Sequence, residues 1–177
     1  MKTNIGLNDE ARSEVGQILN FILADEYVLY VTTRDYRWNV TGPEFLGLHQ
    51  QFGEQSGLLA QWIDDVAERV RAIGVGARGN GTDLVQAART SADTGIDMPP
   101  AHMVASLLAL HEAMIVQLRT DRESCVGRLK DAGTADFLAS LLRQHEKAAW
   151  MLRAQIENQR GGGIVMPVWA ARRSHRQ

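Results

Sequence analysis

Between Phe45 and Ile73 the chain repeats its apolar residues with the period of an α-helix. Phe45, Leu48, Phe52, Leu59, Trp62, Ile63, Val66, Val70 and Ile73 recur at helical rather than strand spacing. Gly42-Pro43 precedes the run and Gly74 follows it, a start that tolerates proline and a stop that favours glycine. The stretch is therefore expected to be one long helix, and it carries three side chains able to ligate a metal: His49, Asp64 and Glu68.

Asp64 and Glu68 are four residues apart and share a face. His49 lies fifteen residues before Asp64, which is roughly 22 Å along a helix axis but only roughly 60° around it. A single helix cannot bring all three to one ion. Two copies packed antiparallel across a two-fold axis can, because His49 of one chain then approaches Asp64 and Glu68 of the other. The competing reading is a solvated helix face, with Glu68 supported by Arg69 and Arg71.

Similar patterns fill most of the remaining chain. Asn8 is an expected N-cap, with Asp9 and Glu10 placed where the helix dipole favours anions. Val15, Ile18, Leu19, Ile22, Leu23, Val28 and Leu29 trace a first helix ending near Tyr36. Gly74 to Gly81 reads as a flexible run, and residues 82–88 as a short helix inside a connection too long to be featureless. A third long helix begins at Pro100 and carries His102 and His111, read as hydrogen-bonded or surface histidines. Thr134 is the expected N-cap of the last helix, with Asp136 in its first turn.

Charge and length set further bounds. The 177 residues fit one domain with terminal extensions, expected as a mobile segment 1–7, a helical body 8–159 and a tail 160–177. A net charge of −2 and a pI near 6.2 exclude a uniformly basic nucleic-acid binder. One cysteine, Cys125, precludes an internal disulfide and fits a reducing compartment. No apolar signal region is read at the start and no run is read as a membrane span, so a cytoplasmic, non-membrane protein is expected. The tail has four arginines and no acidic residue, and Arg172, Arg173 and Arg176 are its candidate DNA contacts, multiplied by avidity if many copies assemble.

The run Tyr36-Arg37-Trp38-Asn39-Val40-Thr41-Gly42-Pro43-x-Phe45-x-x-Leu48-His49, with Asp64-x-x-Ala67-Glu68-Arg69-Val70-Arg71-Ala72-Ile73-Gly74, resembles the signature of the Dps family, the bacterial mini-ferritins. Thr134-Ala135-Asp136 and His145-Glu146-Lys147-x-x-Trp150 extend the likeness, which covers about Asn8 to Asn158. The resemblance implies an all-α fold: a ferritin-like four-helix bundle with a short extra helix between the second and third long helices. It further implies a shell of twelve identical subunits, an iron-oxidising centre at each two-fold interface, Trp38 as an aromatic beside that centre, and Asp136 at the pores that admit iron. Taken without the resemblance, Trp38 is an aromatic anchor packing the start of the second helix.

Carried over position by position, the family pattern is met by His49, Asp64 and Glu68 and broken twice. Arg37 stands where a ligating histidine belongs, and Gly53 where an acidic ligand belongs. A guanidinium stays protonated and offers no lone pair, and glycine offers no side chain. Together they make the interface more positive and oppose Fe²⁺. The expected function is iron sequestration and stress protection by a cage whose oxidation centre is incomplete, with iron weakly bound or absent there. The alternatives are a working ferroxidase using peroxide or dioxygen with non-standard ligands (Asp35, Gln50 and Glu54 are near in sequence), or a non-enzymatic DNA-compacting, nucleoid-associated shell.

Overall fold

The computed structural model describes residues 3–92 and 97–160, and every regular element among them is a helix. The long ones are α1 (Asp9–Asn39), α2 (Phe45–Ala72), α4 (Pro100–Gly127) and α5 (Ala132–Arg160), and α3 (Gly81–Ala87) is the short helix between α2 and α4. Short connections fold α1 onto α2 and α4 onto α5 as two antiparallel hairpins, each packed extensively along its length. A thinner seam joins the hairpins, mainly α1 against α4. This is the expected four-helix bundle with one extra helix. Arg172, Arg173 and Arg176, and with them the DNA contacts expected of the tail, lie outside the described residues.

The helix ends follow their local chemistry. Asn8 caps α1 by accepting the Ala11 N–H at 2.7 Å, with Asp9 and Glu10 behind it in the first turn. α1 runs three residues past Tyr36 and stops where Val40 turns extended and gives its N–H to the Tyr36 carbonyl. At the end of α2, Gly74 has φ +82°, and a Cβ there would strike the Thr3 side chain and the Arg12 guanidinium. Only glycine fits that stop.

Three expectations need correction. Asp131, not Thr134, caps α5: its carboxylate accepts the Thr134 N–H at 2.9 Å and the Thr134 hydroxyl at 2.6 Å. A carboxylate is the stronger acceptor for a helix N-terminus, so α5 begins at Ala132 and Asp136 falls beyond its first turn, exposed. The glycine-rich run after α2 is not free: Asn20 of α1 donates to the Gly76 carbonyl at 3.1 Å and accepts the Arg78 N–H at 2.9 Å. Finally, α4 is apolar enough by length and composition to cross a membrane. Here that apolarity serves the bundle, where Met103, Leu107, Met114 and Leu118 are buried in the shared core. Burying each such side chain contributes about 1.5–3 kcal/mol.

The connection from α3 to α4 is clasped by charge. Arg89 and Thr90 give their N–H groups to the buried carboxylate of Asp25, and the Arg89 side chain bridges Asp25 and Asp121 at 2.8 Å each. Burial raises the Asp121 carboxyl above its ordinary value, with Asp25 adding to the rise and Arg89 opposing it. Cys125 is buried on α4, and burial, aided by Asp131 and Asp121, pushes its thiol up to about 11. A thiol so protonated is packing rather than redox chemistry.

Candidate metal centre

α2 begins just after the α1–α2 turn, so its first residues fold back beside the last turn of α1. His49, half-buried there, places Nδ1 at 2.9 Å from the main-chain carbonyl of Arg37, and its ring stacks on Phe45 at 5.3 Å. A carbonyl only accepts, so this contact assigns the proton to Nδ1 and leaves the Nε2 lone pair available to a metal.

The Arg37 side chain lies across Gly53. A Cβ built at Gly53 would sit 3.1 Å from both Cζ and Nε of the Arg37 guanidinium, which is tighter than ordinary van der Waals contact. Arg37 Nε is buried and has no hydrogen-bond partner. The two departures from the ligand pattern therefore touch: a side chain at position 53 requires the Arg37 guanidinium to give way by a few tenths of an ångström.

Asp64 and Glu68 are exposed further along α2, and Glu68 lies at the rim of an open groove of about 520 Å³ with Arg69 and Gln144. Among the described residues no three His, Cys, Asp or Glu are grouped to hold a metal ion within one chain. The nearby substitutes are engaged elsewhere. Asn39 donates to the Asp35 carboxylate at 2.8 Å, and Gln50 donates to Glu54 at 3.0 Å. Glu54 and Gln50 line a different groove, against Trp150 and Gln155 of α5. Trp38 does not pack on the start of α2 within the chain; it is 63% exposed, with the Arg34 guanidinium 5.1 Å from its ring centre.

The family model of the ferritin-like domain matches residues 16–161. A low temperature-induced protein of Nostoc is 44% identical over 159 residues, covering 89% of this chain and 88% of its own. The DNA protection during starvation protein of Brevibacillus brevis is 32% identical over 157 residues, covering 89% and 100%. The solved Dps of Vibrio cholerae, described as a member of the ferritin-like diiron-carboxylate superfamily, superposes with a TM-score of 0.81 at 30% identity, covering 88% of this chain and 98% of its own. The chain belongs to the Dps family.

This Dps subunit also holds a polar chain that the sequence reading passed over. In the bundle core, the Glu26 carboxylate of α1 meets His145 Nε2 of α5 at 2.7 Å, and His145 Nδ1 meets His111 Nδ1 of α4 at 2.9 Å. Trp62 of α2 packs against His145 with ring centres 4.9 Å apart and planes tilted by 57°. Glu26 and both histidines are buried, and Glu26 Oε2 and His111 Nε2 have no partner. Burial, then the charge of His145, lowers the His111 imidazole well below its ordinary 6.5. Of the two readings taken from sequence, a hydrogen-bonded or a surface histidine, His111 is the hydrogen-bonded one, and it is buried. The missed signal was positional: Glu26 falls four after Ile22 and three before Leu29, on the apolar stripe of α1.

Proposed function

We propose that this Dps protein forms a twelve-subunit iron-sequestering shell in the bacterial cytoplasm, protective under stress, whose two-fold interfaces are not competent for fast iron oxidation. The observation that carries this reading is the Arg37 guanidinium resting over Gly53. It supports the reading because a permanent cation then stands in for the imidazole and carboxylate of the family's ligand pattern. Across a two-fold axis Arg37 faces the partner's acidic pair, equivalent to Asp64 and Glu68, and pairs with it in place of metal. Such a pair holds subunits together without iron, to a degree set by its desolvation.

Assembly is further supported by the apolar surface left on one chain. Leu46 and Leu58 of α2, Trp38 of α1, and Trp150 and Met151 of α5 are all exposed. Exposed apolar groups favour an interface where they adjoin one another, as Trp150 and Met151 do at one groove.

Stopped-flow mixing of the assembled protein with Fe(II) and either peroxide or dioxygen tests the proposal. Oxidation should follow the uncatalysed rate, and size-exclusion chromatography should give the same large particle with and without a chelator. Rapid oxidation of two irons per interface would establish the rival reading, an active ferroxidase with unorthodox ligands. Asp136, on the exposed side of α5, remains the proposed lining of the pores that admit iron.

A second reading rests on the tail, where Arg160, Arg172, Arg173 and Arg176 stand without a single acidic residue. Twelve such tails on one shell hold DNA by counterion release. Retention of DNA at low salt should fall steeply between about 50 and 200 mM salt and vanish on deletion of residues 161–177. No retention at low salt would remove this reading.

A further inference from the structure

We propose that the Glu26–His145–His111 chain is an acid-operated latch across the seam between the α1–α2 and α4–α5 hairpins, released when the histidine pair takes up a further proton. The chain crosses the seam between the two hairpins. His111 and His145 belong to one hairpin, while Glu26 and Trp62 come from the other and both engage His145.

The proton count makes it sensitive. Two N–H protons satisfy both contacts: His145 Nε2–H donates to Glu26, and His111 Nδ1–H donates to His145 Nδ1. His111 Nε2 is then a bare lone pair, consistent with its having no partner in a buried position. If His145 is also protonated at Nδ1, the His111 proton must move to Nε2, where no acceptor waits. With both rings fully protonated, two imidazolium cations face each other at 2.9 Å. A buried donor without an acceptor is costly, and a buried like-charge pair more so.

The groups that face the pair are few. α1 presents Glu26, α5 presents His145, and α2 presents the uncharged Trp62. The ion pairs joining α4 to α5, Glu112–Arg153 and Arg119–Glu146, lie on the exposed face. Asp121, with Arg89 and Asp25, is ten residues along α4, about 15 Å away. Glu26 can compensate one positive charge on His145, but no acceptor meets an Nε2–H on His111 and no second anion in that set faces a charge on His111.

The sign follows from linkage. His111 is held below its ordinary 6.5 in the fold, so the unfolded or opened chain binds the proton more readily. Stability is full above about 6.5 and is lost as pH falls below it, at tenfold in the opening equilibrium per pH unit for one proton.

Hydrogen exchange on the full-length assembled protein between pH 7.5 and 5.0, corrected for intrinsic exchange, tests the latch. Protection at residues 107–114 and 141–149 should fall about tenfold per pH unit below 6.5, ahead of any loss at residues 118–124 around Asp121. In His111→Gln, whose amide donates but does not titrate, that slope should disappear. Protection that stays flat through the window in the wild type, or an unchanged slope in His111→Gln, overturns the proposal. Should His111→Gln not fold, the wild-type profile decides alone: early loss at the two latch segments supports it, and first loss around Asp121 or none at all refutes it.

Discussion

A chain carrying Arg37→His and Gly53→Glu together should oxidise Fe(II) at least about a hundredfold faster than the wild type in stopped-flow, a gain of about 2.7 kcal/mol in barrier. The double change removes a cation and adds a nitrogen and a carboxylate beside His49, whose Nε2 is already free of the Arg37 carbonyl. Either change alone should recover less than about tenfold. Gly53→Glu by itself places a carboxylate on a backbone whose Cβ would stand 3.1 Å from the Arg37 guanidinium, and the two would pair with each other rather than with iron. Arg37→His by itself leaves the acidic ligand missing and opens a void over Gly53. The effects are coupled because the residues touch. If one single variant matches the double, the packing of Arg37 on Gly53 is incidental and the wild-type interface is limited by something else.

How much of this was readable beforehand depends on the kind of signal. The long helices were legible because Leu19, Ile22, Phe52, Leu59, Leu107 and Leu138, all fully buried, sit at helical spacing and because Asn8, Pro100 and Gly74 punctuate the ends. The start of α5 was misplaced because Thr134 is a good cap by residue type, whereas in the fold its own N–H and hydroxyl are given to Asp131 three residues earlier. The departure of Arg37 and Gly53 from the family's ligand pattern was readable residue by residue from the resemblance. Their contact was not, since it depends on the turn that folds α2 back on α1. Arg89 was likewise silent: its partners Asp25 and Asp121 are 64 and 32 residues away. The buried Glu26 and His145 were hidden for another reason. Each is polar, so an apolar-period reading steps over it, although each occupies a core position in its helix.

That hidden chain carries the largest expected effect on stability. Glu26→Ala should cost about 1–3 kcal/mol, since it leaves the buried His145 Nε2–H without its acceptor. In urea at fixed protein concentration, which must be held because the assembly contributes to stability, the midpoint should fall by on the order of 1 M. Replacing all three members together, as Glu26→Leu with His111→Leu and His145→Phe, should cost no more than about 1 kcal/mol or even stabilise, because a buried polar set is often no better than well-packed apolar groups. The comparison separates two roles. A single-site loss that the triple variant reverses means that the partners depend on one another and that their net worth to the fold is small. If Glu26→Ala is nearly silent, the 2.7 Å contact with His145 carries little energy and no latch can be built on it. If the triple variant is as damaged as the single one, the chain is needed for packing in its own right. Retention of such a group at little net gain in stability is what a switch requires: the fold tolerates it at neutral pH, and the same burial that makes it silent there makes one added proton expensive.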